Sequence, residues 1–207
     1  MSLFPMFVKL EGRMVLVVGA GAIAEQKIDG LLAARALVKV VAPRATAQIA
    51  KWALCEVLEW HARPFEPADV DGAYLVITAS SAPGVNSAVY QQAEARQIFC
   101  NAVDDLENCH FYYGSVVRRG DLQIAISTNG KSPALAQRLR KQLEAQFGPE
   151  YESWLELLGA ARETLRAAEN PGDPESTKRL LHRLASENKF EQYRQQTKNP
   201  SAGKGIV

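Results

Sequence analysis

Met14-Val15-Leu16-Val17-Val18-Gly19-Ala20-Gly21-Ala22-Ile23-Ala24-Glu25-Gln26-Lys27 reads as a buried strand that turns sharply into a helix. The first five residues are an unbroken apolar run rich in β-branched side chains, the pattern of a parallel strand covered on both faces. Gly19 and Gly21 follow at once, and Ala24 takes the third place of a G-x-G-x-x-G/A pattern. Each small residue has a mechanical reason. Gly19 permits the tight turn, Gly21 lets a pyrophosphate approach the backbone, and Ala24 lets helix and strand pack closely. The helix N-terminus then presents free N–H groups and a positive dipole end to phosphates.

Glycines after a strand can simply make a turn, so the flanking sequence carries weight. Residues 22–34 have helical composition and residues 37–41 (Leu-Val-Lys-Val-Val) form a second strand, completing a βαβ unit of about 30 residues. Where an Asp or Glu is expected for the ribose hydroxyls, the chain has Val41-Ala42-Pro43-Arg44. The ribose is then held by backbone or other groups, Arg44 is available to a 2′-phosphate, and motif logic leaves NAD and NADP both open.

Alternation continues downstream. Residues 4–10 read as a lead-in strand or edge segment, 45–54 as a helix, 55–60 as a strand, 74–78 (Tyr-Leu-Val-Ile-Thr) as a buried strand, 84–96 as a helix and 98–103 as a fifth strand. In a doubly wound sheet ligands lie beyond the carboxyl ends of the strands, so Thr78, Ala79 and Ser80 are expected to face the cofactor, with Asp104 and Asp105 delivered to the same edge. Residues 115–118 and 122–127 then read as a hairpin. Ser132 is an N-cap with Pro133 at the first helical position of a helix running to Phe147, and Gly148-Pro149 ends it. Residues 150–195 are helical, with a loop at 170–174 and a polar, frayed last dozen residues.

The chain has 207 residues, 47% of them apolar, enough for a Rossmann-sized domain plus smaller additions. A net charge of +1 gives no global pull toward nucleic acid or membrane. Cys55, Cys100 and Cys109 make no C-x-x-C pair and argue against a disulfide framework or zinc knuckle. No run approaches the roughly 18 apolar residues of a membrane span, and the N-terminus does not read as a signal peptide. A soluble, cytoplasmic protein is expected, with no metal site.

Three groupings carry chemistry. Asp104 and Asp105, where a strand leaves the sheet, are a general base, a metal holder, or a solvated turn. Arg118, Arg119, Lys131, Arg138, Arg140 and Lys141 face one acid, Asp121, over a short stretch. Such a cluster is either a solvated face or a match for a substrate with many carboxylates. His110 is the histidine near the active edge. His61 and His182 have no metal-ligand spacing.

Taken together, Phe4-Pro5, Gly12-Arg13, Val17-Val18-Gly19-x-Gly21-x-x-Ala24-x-x-Lys27, Val41-Ala42-Pro43, the Ala-Asp-Val-Asp-Gly-Ala run ending at Ala73, Asn101-x-Val103-Asp104-Asp105 and residues 122–133 resemble the siroheme synthase N-terminal family. Its members are precorrin-2 dehydrogenases, some of which are also sirohydrochlorin ferrochelatases. The resemblance covers residues 4–147 and implies NAD as cofactor, contacted by Ala22, Ile23, Pro43 and Arg44, with Asp104 as the catalytic aspartate. It also implies a homodimer formed through residues 114–147, with the C-terminal helices completing the cleft. The substrate implied is a reduced tetrapyrrole with eight carboxylates, which loses a hydride to the nicotinamide and a proton from the macrocycle. Asn129 stands where the family commonly has Gly.

The expected architecture is therefore an α/β, Rossmann-like parallel sheet (1–113), then a dimerisation hairpin and helix (114–148), then a small helical domain with a flexible tail (149–207). Gly19, Gly21, Ala22, Ile23, Ala24, Pro43, Arg44, Thr78, Ala79 and Asn101 are the expected cofactor contacts, and Asp104 the catalytic residue. The expected function is NAD-dependent oxidation of precorrin-2, with ferrous iron insertion as an alternative. A different class stays open as well: a Rossmann domain that senses NAD or NADH without turnover.

Overall fold

Five short strands, most of them apolar, cannot satisfy their backbone singly, and they pair into one parallel sheet. The computed structural model describes residues 3–167 and 173–198. β1 (Met14–Val18), β2 (Leu37–Val41), β3 (Glu59–His61), β4 (Leu75–Thr78) and β5 (Phe99–Ala102) lie in the order β3-β2-β1-β4-β5. In register, Val18 stands beside Val41 on one side and Thr78 on the other. The order reverses between β1 and β4, and this opens the crevice that such sheets use for ligands.

Alternate residues of β1 feed two separate cores. Val15 and Val17 join Ala24, Ile28 and Leu31 of α1 (Ala22–Ala33) and Ile49 of α2 (Ala47–Leu54). Leu16 and Val18 join Val89 and Ala93 of α3 (Val85–Ala95) on the opposite face. Leu16, Ile28, Ile49 and Ile77 have no exposed surface, and full burial of each such side chain is worth about 1.5–3 kcal/mol. A buried Asp69 ties the loop after β3 to β2, accepting from Arg63 Nη1 and Nη2 at 2.8 and 2.6 Å and lying 3.3 Å from Lys39 Nζ of β2.

Contacts divide the chain into two units, one ending at Tyr112 and the other beginning at Tyr113. The second starts with the hairpin of β6 (Ser115–Arg119) and β7 (Leu122–Ile126). Val117 of the hairpin is buried, whereas Arg118 and Gln123 are exposed. Among the described residues four helices follow: α4 (Pro133–Gln146), α5 (Glu150–Ala167), α6 (Pro174–Leu184) and α7 (Glu187–Lys198). Ser132 caps α4 by accepting from Leu135 N–H. Arg119 closes the other end of that helix by donating to the carbonyls of Glu144 and Phe147 at 2.9 and 2.8 Å. Phe190 of α7 is buried against Tyr151 and Trp154 of α5.

Two expected elements differ. Residues 4–10 form no strand. Leu10 packs on the first core and Gly12, at φ +69°, turns the chain into β1. The expected strand at 55–60 shrinks to its end, because α2 closes on Cys55, Glu56 adopts φ +57° and Val57 N–H donates back to Trp52. That closing turn uses up the first residues of the run. The expected loop at 170–172 and the tail at 199–207 lie outside the described residues, and residues 196–198 extend α7.

Candidate functional site

The carboxyl ends of β1, β2, β4 and β5 bring most of the expected residues to one edge of the sheet. Gly19, just past β1, has φ +102°, and a Cβ placed there would lie 2.5 Å from the carbonyl oxygen of Ala79, just past β4. Only a glycine lets these two strand exits approach so closely. Gly21 is different. It is the N-cap of α1 in extended backbone, and a Cβ there would meet nothing within 4 Å. No side chain caps the helix, so the first-turn N–H groups of Ala22 and Ile23 open onto the free space above Gly21. Ala24, fully buried, seats the helix on the sheet.

This arrangement fits a dinucleotide. The uncapped first turn supplies donors and a positive dipole end for a pyrophosphate, and the space at Gly21 admits it. Past β2, Ala42 is held by its carbonyl, which accepts from Trp60 Nε1 at 3.0 Å, while Pro43 and Arg44 are exposed. No carboxylate follows β2 at the ribose position.

Two expected cofactor contacts have other partners. Thr78 is fully buried and its hydroxyl donates to Asn86 Oδ1 at 2.6 Å. Asn86 also accepts from Ser80 N–H and donates to Ser80 C=O, so it clamps the loop that carries Ala79. Asn101 is buried, and its Nδ2 donates to Phe111 C=O at 2.8 Å and contacts Cys109 Sγ. These two side chains build the edge, and Ala79 reaches it through its backbone.

Asp104 is exposed one residue beyond the Ala102–Val103 exit of β5, at φ +61°. Val103 N–H donates to Thr78 C=O and Asp105 N–H to Ala102 C=O, pinning the turn on both sides. A non-glycine residue held in this region is strained, and such strain concentrates at functional sites. Asp105 accepts from Asn108 Nδ2 at 2.6 Å and is engaged in its own loop.

Lys27 of α1, part of the opening stretch but given no role there, is half-buried and feels the charge of Asp104. Burial pushes its ammonium below the usual lysine range, and Asp104 partly offsets this. The signal for Lys27 was its place three residues after Ala24, one helical turn further along. Asn86 had no sequence signal beyond its amide.

His110 is structural. Its Nδ1 accepts from Cys100 N–H at 3.0 Å, its Nε2 meets Glu94, and its ring stacks on Tyr90 with centroids 4.9 Å apart. Burial pushes the Cys100 thiol up to about 12, leaving it no nucleophilic role at neutral pH. In the second unit, Arg119 caps α4 and Arg140 pairs with Glu144. Arg118, Lys131, Arg138 and Lys141 are exposed. Asn129 lies at φ +53°, the left-handed region that Gly and Asn enter more readily than other residues. Among the described residues no cluster of three or more His, Cys, Asp or Glu is placed to hold a metal, and no helix is long and apolar enough to cross a membrane.

A parallel sheet whose order reverses between β1 and β4, with a glycine-cornered, uncapped helix at that point, defines a Rossmann-type dinucleotide-binding protein. Residues 6–115 match the family described as "Putative NAD(P)-binding", and residues 119–146 match "Sirohaem biosynthesis protein central". The chain belongs to the siroheme synthase N-terminal family, carrying its NAD(P)-binding and central modules in that order.

A siroheme synthase of Photorhabdus laumondii is 37% identical over 166 residues, covering 80% of this chain and 35% of that protein. One of Neisseria meningitidis serogroup C is 39% identical over 167 residues, covering 81% and 35%. The chain thus spans about a third of the length of these curated relatives. A solved structure titled SirC, precorrin-2 dehydrogenase, is similar at a TM-score of 0.79 and 26% identity, covering 95% of this chain and 99% of that one.

Proposed function

We propose that the protein is an NAD-dependent precorrin-2 dehydrogenase acting in siroheme biosynthesis. The observation that carries this reading is the likeness to SirC across nearly all of both chains, combined with an exposed aspartate at the same sheet edge as the dinucleotide cradle.

NAD, when bound, supplies the hydride acceptor. The first turn of α1, with Gly21, Ala22 and Ile23, binds its pyrophosphate. Gly19 and the Ala79 backbone set the depth of the crevice, and Pro43 and Arg44 flank the ribose. Asp104 is the catalytic residue: as the substrate gives up a hydride, its carboxylate takes the proton that leaves the macrocycle, then releases it to water. The exposed Arg118, Lys131, Arg138 and Lys141 are the residues chemically suited to the substrate carboxylates. In this reading residues 1–113 bind the nucleotide, 114–148 pair two copies as a homodimer, and 149–207 form a small helical domain of a cytoplasmic enzyme.

The experiment is anaerobic reduction of NAD at 340 nm with enzymatically generated precorrin-2, run also with NADP. Turnover with NAD that Asp104→Ala slows by about 100-fold or more, the usual scale of a general base, is the expected result. Tight NAD binding without turnover refutes the enzyme and favours a sensor. Iron insertion is read from sirohydrochlorin with ferrous or cobaltous ion, where metallation no faster than without protein removes that role. Light scattering reads the dimer.

A further inference from the structure

We propose that Cys109 is the positioning residue of Asp104, its thiol bracing the turn that carries the aspartate so that the carboxylate stays aimed at the proton it receives. This role rests on the dehydrogenase reading. Residues 102–105 form a four-residue turn at the exit of β5, closed by Asp105 N–H donating to Ala102 C=O at 3.2 Å. Asp104 takes the third place of the turn at φ +61°, where a positive φ ordinarily calls for Gly or Asn. A backbone held in that region persists only where its surroundings fix it.

Cys109 supplies that fixing. After a short 3-10 turn at Leu106–Asn108 the chain returns antiparallel to the end of β5, where Cys109 forms a bridge with Asn101. His110 N–H donates to Cys100 C=O at 2.8 Å and secures the return. Cys109 Sγ then lies 3.1 Å from the carbonyl oxygen of Ala102 and 3.1 Å from that of Asp105. These are the carbonyls at the two ends of the turn, with Asp104 between them. A thiol has one proton, which the two acceptors share. The sulfur also accepts from Asn101 Nδ2 at 3.3 Å, and that amide is itself oriented by donating to Phe111 C=O at 2.8 Å. One sulfur thus ties the strand end, the turn and the returning segment together. Two carbonyls facing it require a donor, and burial pushes the half-buried thiol above its usual range, so it keeps its proton at neutral pH. Cys109 acts here as a hydrogen-bond donor and not as a nucleophile.

Two kinds of replacement separate donation from bulk. Cys109→Ser keeps a donor and holds kcat for precorrin-2 oxidation near the wild-type value. Cys109→Ala and Cys109→Val, which differ in bulk but both lack a donor, lower kcat about tenfold, the scale of one lost hydrogen bond. The KM for NAD holds in all three, because the dinucleotide cradle lies after β1. Cys109→Val adds little to Asp104→Ala, as for residues acting as one unit. A second readout needs no turnover: by NMR hydrogen exchange the Asp105 amide exchanges about tenfold faster in Cys109→Val, unchanged in Cys109→Ser, while the Ile77 amide in the sheet keeps its wild-type rate in both. Cys109→Val as active as wild type, or Cys109→Ser as slow as Cys109→Val, overturns the proposal. So does an Asp105 amide that exchanges at the wild-type rate in Cys109→Val, whatever the activity. If that exchange rises as expected but the wild type does not turn over precorrin-2, the dehydrogenase reading fails, and the positioning role is overturned with it.

Discussion

The two glycines of the motif should fail in opposite ways when a side chain is added. At Gly19 the new Cβ would lie 2.5 Å from Ala79 O, 2.7 Å from Ala79 C and 3.0 Å from Ser80 N, all of them backbone atoms. Backbone cannot rotate aside as a side chain can, and the φ of +102° adds its own penalty. Strain of about 1–3 kcal/mol for the backbone and another 1–3 kcal/mol for the overpacked contact put Gly19→Ala at about 2–6 kcal/mol. Against a typical total of about 5–15 kcal/mol, that is a large share of the stability.

At Gly21 a Cβ meets nothing within 4 Å and the backbone is already extended. Gly21→Val should therefore cost about 1 kcal/mol or less of stability, the scale of losing a favoured N-cap residue. Its branches, however, fill the space above the first turn of α1, so NAD affinity falls about tenfold or more, 1.4 kcal/mol or above. Urea unfolding gives the first quantity and calorimetric NAD titration the second. A Gly19→Ala protein with wild-type stability would show that the β1 and β4 exits separate at little cost. Undiminished NAD binding by Gly21→Val would move the pyrophosphate away from α1.

Three further outcomes follow from particular contacts. Asn86→Ala strips the partner from the buried Thr78 hydroxyl and from both backbone groups of Ser80; at about 1–3 kcal/mol for an orphaned buried group, thermal unfolding should show a clear loss. Arg63 first, then the Glu66 N–H and Lys39, hold the Asp69 carboxyl well below the usual carboxylate range despite its burial. The stabilisation is therefore complete above the unfolded value of about 3.9 and is lost as pH falls toward the depressed folded value. Accordingly, Asp69→Asn should be less stable than wild type at pH 7, with the gap narrowing below about pH 4 in acid-unfolding curves; a constant gap would deny the ionised state its role. Finally, Arg44→Asp supplies the missing ribose carboxylate and should raise the ratio of NADP to NAD dissociation constants, while an unchanged ratio would place Arg44 away from the 2′ position.

The scaffold was legible wherever a local pattern had one physical solution. An apolar β-branched run followed by G-x-G-x-x-A leaves a strand, a tight turn and a helix few alternatives, and β1, α1 and β2 begin at the expected residues. Cys55–Leu58 was less legible because a closing turn on α2 and a strand compete for the same apolar residues. Local hydrogen bonds to Lys51, Ala53 and Trp52 win there. The segment at 4–10 has strand composition but no strand partner among the described residues.

Side-chain direction was the level that sequence left open. Thr78 and Asn101 stand at strand ends, where position alone predicts a ligand contact, yet each has a polar acceptor within reach, the Asn86 side chain for Thr78 and the Phe111 carbonyl for Asn101. A buried polar group takes the partner that satisfies it, so Asn86 and Phe111 claim them. Asp104 escapes this fate because its turn is already closed by the backbone bonds of Val103 and Asp105, and because Asp105 has taken the available amide, that of Asn108. The neighbouring aspartate engages the loop, and Asp104 stays exposed. The electrostatic influence of Asp104 on Lys27 is non-local, linking α1 to the turn after β5. A pattern read along the chain contains each residue but not their coupling.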